Sequence, residues 1–110
     1  MIIIYMIRAI DVPKKDELYK YSNPVKAQKQ AFIYLGKKAL LYKSKNINKK
    51  YSIIDPSGKI INFGQLGYED FTKHDDDARR KNYLTRTAGM KGNWKNNLYS
   101  ANNLSRNILW

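Results

Sequence analysis

The residues best equipped for chemistry lie between positions 69 and 86. His74, the single histidine, follows Glu69 and Asp70 and precedes Asp75, Asp76 and Asp77. One imidazole among carboxylates is a ligand set for a divalent metal, and around His74 and Asp70 it would suit metal-assisted nuclease chemistry. The same residues have a plainer use. Aspartates at a helix start satisfy free N–H groups and complement the helix dipole, with His74 hydrogen-bonding in the loop. Consecutive aspartates project in different directions around a helix, so at most two could converge on His74. The plainer use is preferred, and no catalytic residue, metal or cofactor is assigned.

Arg79, Arg80 and Arg86, with Lys91 and Lys95, are the candidate contacts to a nucleic-acid phosphate backbone. Against them stands intrahelical pairing: Asp75–Arg79, Asp76–Arg80 and Asp77–Lys81 all have the favourable acid-first i,i+4 spacing. Such pairing would occupy most of the cluster and leave Arg86. Tyrosines and tryptophans beside lysines form a third group. Tyr19, Tyr21 and Trp94, with Ile3, Tyr5 and Trp110 near the two apolar ends, are the candidate partner-binding anchors. Termini are ordinarily polar and frayed unless something ties them down. Apolar ends therefore predict burial in the chain's own core or against a neighbouring subunit.

The elements that must hold these residues follow from local pattern. Residues 1–10 are β-branched and read as a buried strand ended by Asp11-Val12-Pro13. Asn23-Pro24 starts a helix over residues 24–35, with Gly36 as its stop. Residues 38–44 could continue that helix or form a strand, and residues 43–50 are a polar break. Residues 50–54 and 59–63 are strand-like on either side of Asp55-Pro56-Ser57-Gly58, whose Pro and Gly positions match a type I turn. This predicts a β-hairpin over about 50–63. Gly64-Gln65-Leu66-Gly67 reads as an irregular loop. A helix is expected over about 75–87, with Ala78, Tyr83 and Leu84 as a narrow buried stripe, and Ser100 caps a last short helix over 103–110. The fold class is therefore α+β, with an N-terminal strand and helix. Residues 1–49 form a Lys-rich extension and residues 50–110 a hairpin–helix module. The expected core of that module is Tyr51, Ile53, Ile61, Phe63, Tyr68, Phe71, Tyr83, Leu84, Trp94 and Leu104.

Composition bounds the rest. With 110 residues and no cysteine there is one modest core and no disulfide or thiolate chemistry. The apolar run at residues 1–7 is far below the ~20 residues of a membrane span, and it has neither the basic flank nor the cleavage pattern of a signal peptide. A net charge of +12 points to an acidic partner, whether nucleic acid, an anionic membrane face or acidic protein. Yet Lys, Asn, Ile and Tyr supply 48 of the 110 residues, and Lys outnumbers Arg 16 to 5. All four are read from AT-rich codons, so part of the charge reflects base composition.

Lys50-Tyr51, Asp55-Pro56-Ser57-Gly58-Lys59, Asn62-Phe63-Gly64, Gly67-Tyr68-Glu69-Asp70-Phe71-Thr72, His74-Asp75, Arg79, Tyr83 and Arg86 form a distinctive string. Together with Gly92-Asn93-Trp94, Tyr99-Ser100, Asn102-Asn103-Leu104-Ser105 and Leu109-Trp110 it resembles a family of small, basic, uncharacterised proteins of giant (nucleocytoplasmic large DNA) viruses. The resemblance covers residues 50–110 and implies a viral origin. The expected role is a non-enzymatic structural protein of the virus particle, of minor-capsid or cementing type. It would contact major or other minor capsid subunits in the virion, after assembly in the host cytoplasm. The alternative is a nucleic-acid-binding protein that contacts viral DNA through its Lys and Arg side chains.

Overall fold

The computed structural model describes residues 6–110, an α+β fold around one three-stranded antiparallel sheet. The chain enters with Arg8 bridged to Tyr42, then turns through a short 3-10 segment, Ala9–Asp11. The strand expected over residues 1–10 therefore gives way to a turn at Ala9. Arg8 Nε reaches back to Asp11 at 2.8 Å, and Asp11 N–H donates to the Arg8 carbonyl at 2.9 Å, so the chain curls locally. The part of that expectation on residues 1–5 lies outside the described residues. A second 3-10 turn, Glu17–Lys20, buries Leu18.

Helix α1 is Pro24–Leu35. Asn23 caps it as its sequence requires, its side-chain oxygen accepting from the N–H groups of Val25 (3.1 Å) and Lys26 (3.2 Å). The buried face is made of Pro24, Ala27, Gln28 and Ala31, all small or polar. Small side chains let the helix axis approach its neighbours closely. As a result the larger apolar side chains Val25, Phe32 and Ile33 turn outward at 51%, 37% and 77% exposure. Gln28 acts as a surrogate strand partner: its amide donates to the Ala39 carbonyl (2.7 Å) and accepts from Leu41 N–H (2.8 Å).

Strand β1 is Tyr42–Lys43, β2 is Lys49–Ile54 and β3 is Ile60–Gln65. β1 pairs with β2 across the polar break, so position 49/50 falls inside the sheet. The β2–β3 hairpin pairs Tyr51 with Phe63 and Ile53 with Ile61. Its turn is pinned by Asp55, whose carboxylate accepts from Ser57 N–H, Ser57 Oγ and Lys59 N–H at 2.7–3.0 Å. Gly64 and Gln65 extend β3, and only the residues after them form the loop.

Helix α2 is the single turn Phe71–His74, and α3 is Asp77–Ala88. Asp75 stands between them in the left-handed region (φ 57°), so the expected helix starts two residues late, with Asp76 as its cap. Of the predicted stripe on α3, Ala78 is exposed and Tyr83 and Leu84 are half-buried; Thr87 is the buried residue. The chain closes with α4, Ala101–Leu104, capped by Ser100, running into a wider π turn, Ser105–Leu109.

One hydrophobic core draws on both halves. Leu18, Ala27, Ala31 and Leu41 pack with Tyr51, Ile53, Phe63, Leu104, Ile108 and Leu109. Tyr68, expected in this core, is 65% exposed; Ile61 is half-buried against its margin, and Phe71 and Trp94 are half-buried outside it. The apolar C-terminal segment lies in the chain's own interior, with Ile108 and Leu109 each 1% exposed.

Candidate functional site

The least ordinary side chain of the fold is Lys50, a lysine at 3% exposure on the central strand. Its ammonium contacts three acceptors: the Tyr68 carbonyl (2.6 Å), Asp70 Oδ2 (3.1 Å) and the Tyr21 carbonyl (3.4 Å). Three donors and three acceptors leave no N–H group unmatched. Asp70 is fully buried, and its other oxygen caps α2 by accepting from Thr72 N–H at 3.0 Å and from the Thr72 hydroxyl. The chain of hydroxyls continues from Thr72 to Ser22 (3.1 Å) and on to Tyr51 (2.7 Å). Burial lowers the Lys50 pKa against the pull of Asp70, and burial raises that of Tyr51. These five side chains come from the turn before α1, from β2 and from α2. They form a closed, mutually satisfied network that fastens the sheet to both helices.

That network commits Asp70, one of the two residues considered for metal-assisted cleavage. His74 is committed as well. Its Nδ1 accepts the Asp76 N–H at 2.9 Å, while Nε2 is buried without a hydrogen-bond partner. Phe71 meets the imidazole edge-on with centroids 6.0 Å apart, and Trp110 lies 5.1 Å from it. Among the described residues no three His, Cys, Asp or Glu side chains are grouped to hold a metal ion.

Because Nδ1 is an acceptor, the neutral ring carries its proton on Nε2, and a second proton has no place without breaking the α3 cap contact. Burial first, then the Arg79 guanidinium, hold the His74 pKa below its ordinary 6.5, outweighing Asp76, Glu69 and Asp70. The unfolded chain then binds a proton as pH falls through 6.5 while the folded chain resists it. Stability is therefore complete above that value and declines below it. Urea midpoints measured at pH 7.5, 6.5 and 5.5 should fall across the series, and His74→Gln should flatten the upper part of that slope. An unchanged slope in the variant would remove His74 as its source.

The three acid–base pairs expected along α3 are not formed. Arg79 instead pairs with Glu69 at 3.2 Å, and Arg80 Nε donates to the Trp110 carbonyl at 2.5 Å while lying over the Phe71 ring. Asp75 lies outside α3 in left-handed backbone and the Asp76 carboxylate caps the helix by accepting from Arg79 N–H, so these two do not line up with the cations a turn later. Arg86 lies 5.6 Å over Tyr83 and Lys95 5.5 Å over Trp94; Lys91 is exposed.

The candidate cations do not form one stripe. Trp110 stacks on Tyr83 with centroids 4.2 Å apart and planes 9° apart, and this stack separates two grooves. One, of about 570 Å³, is lined by Arg79 and Arg86 together with Lys50, Glu69 and Tyr68. The other, of about 470 Å³, is lined by Arg80 and by three cations the sequence did not single out: Lys26, Lys29 and Arg106. These three are separated by up to 80 positions, and only packing brings them together.

Of the aromatic anchors, Trp110 is half-buried, stacked on Tyr83. Trp94 is half-buried, its Nε1–H donating to the Met90 carbonyl at 2.8 Å, with Arg106 also 5.5 Å from its ring. Tyr19 packs against the core, and Tyr21 contributes its carbonyl to Lys50 and to Asp70 N–H (3.0 Å). Ile3 and Tyr5 lie outside the described residues. The exposed large apolar side chains are different ones, including Ile47 (84%), Ile33 (77%) and Tyr68 (65%). A helical wheel drawn on the alanine face would have found Ile33.

Residues 39–87 match a family model described as Family of unknown function (DUF5754). That stretch carries Lys50, Tyr51, Asp70, Thr72 and His74, and so most of the buried network. No curated protein and no solved structure matches the chain.

Proposed function

We propose that this chain is a non-enzymatic structural protein of a large DNA virus particle, of minor-capsid or cementing type, assembled in the host cytoplasm and resident in the virion. The viral setting rests on the resemblance of residues 50–110 to the giant-virus family. The observation that carries the docking role is the outward face of α1. Val25, Phe32 and Ile33 stand in solvent on the side opposite the alanines, with Lys26 and Lys29 beside them. The occupant this face suits is a neighbouring capsid subunit that offers an apolar patch rimmed by carboxylates. The polar groups with catalytic potential, Lys50, Asp70, Tyr51 and Ser22, are spent on one another inside the protein. Among the described residues no helix is long and apolar enough to cross a membrane.

Burying one such side chain contributes roughly 1.5–3 kcal/mol, so removing two should weaken docking by at least about 100-fold. The test is a tagged Val25→Asp/Ile33→Asp protein in particle-producing cells, read by cross-linking mass spectrometry of purified particles. The variant should fold normally by circular dichroism, lose its cross-links to capsid subunits and be depleted from particles. Incorporation equal to the parent would overturn the reading.

A further inference from the structure

The 470 Å³ groove between α1 and the C-terminal helix gathers cationic side chains from three elements. Lys26 and Lys29 face it from α1, Arg80 from α3 and Arg106 from the π turn, against one carboxylate, Asp75. Counted over side chains alone, four cations and one anion leave +3. The two guanidinium groups are held in place by single edges. Arg106 Nη1 donates to the Leu84 carbonyl and the Thr87 hydroxyl, both at 2.6 Å, and Arg80 uses its Nε on the Trp110 carbonyl. A guanidinium has five N–H donors, so each keeps donors for a ligand while its position is fixed. Among the described residues neither Lys26 nor Lys29 has a carboxylate within 4.0 Å.

We propose that this groove binds phosphate groups, with the two arginines as oriented forks and the two lysines as mobile point charges. Its volume lies within the roughly 300–1,000 Å³ of small-ligand sites, enough for a mononucleotide or a short stretch of single strand. The assignment does not depend on docking through α1, since it can be tested on the isolated protein.

The probes are inorganic tripolyphosphate, ATP and a ten-residue oligothymidylate, measured by isothermal titration calorimetry at low salt. Lys29→Glu and Arg80→Gln should each weaken binding about tenfold or more, as expected for losing a charged hydrogen bond. Lys14→Glu, which makes the same charge change as Lys29→Glu on an exposed residue away from the groove, should stay within about twofold of the parent. Binding of ATP and tripolyphosphate names a free nucleotide as the source of the phosphate; binding of the oligonucleotide alone names a strand. Either result, with the variant pattern above, supports the site. Failure of all three probes to bind, or equal weakening by Lys14→Glu and Lys29→Glu, would overturn it.

Discussion

Asp70→Ala should lower the unfolding free energy by about 4–6 kcal/mol, a large share of the ~5–15 kcal/mol that holds a domain of this kind together. Two losses add. Lys50 keeps its charge at 3% exposure with no counter-charge, and removing one member of a buried pair costs roughly 3–5 kcal/mol. The α2 cap goes as well, at about 1 kcal/mol. Asp70→Asn separates the two. The amide oxygen can still accept from Thr72 N–H, while the amide nitrogen faces the Lys50 ammonium donor to donor. It should therefore cost about 3 kcal/mol, slightly less than the alanine variant. The Lys50→Met/Asp70→Asn double variant should recover much of that loss, because no uncompensated charge remains inside. Urea denaturation of the parent and the three variants measures these differences. An Asp70→Asn protein within 1 kcal/mol of the parent would show that the pair does not fasten β2 to α2.

Gly64→Ala should cost about 2–5 kcal/mol, also for two separable reasons. The backbone there has φ 78°, where a Cβ costs roughly 1–2 kcal/mol. That Cβ would also stand 2.7 Å from Leu109 Cδ1 and 3.3 Å from Lys50 Cβ. Leu109 is 1% exposed and packed in the core, so its methyl has little room to retreat, and overpacking of this kind adds about 1–3 kcal/mol. Gly58→Ala is the control, since its φ is 87° but nothing lies within 4 Å of the added atom. The difference between the two variants in thermal or urea unfolding isolates the contact. Equal losses would mean that the C-terminal segment does not press on β3.

Both predictions concern places where distant parts of the chain meet, and that is where sequence reasoning stops. Local chemistry fixed a good deal. Asn23-Pro24 could start α1 because the cap and the proline act within three residues. Asp55-Pro56-Ser57-Gly58 could close the hairpin because every bond of the turn is internal to it. Ser100 and the aspartates before α3 announced their helices for the same reason, although Asp75 spent its turn on a left-handed corner. Once those elements were in hand, an α+β fold followed from their order.

Which face of each element would be inside was not written locally. The pattern of α1 mixes alanines with Val25, Phe32 and Ile33, and only the close approach of its neighbours selected the small side. The pairing of Lys50 with Asp70 spans 20 positions, and the groove of Lys26, Lys29, Arg80 and Arg106 spans 80. Charge pattern alone favoured the i,i+4 partners on α3, because neighbours on a helix are the only contacts a sequence can count. Tertiary packing chose otherwise: Glu69 takes Arg79 and the Trp110 carbonyl takes Arg80, while the buried ammonium of Lys50 needs a buried carboxylate whatever their separation.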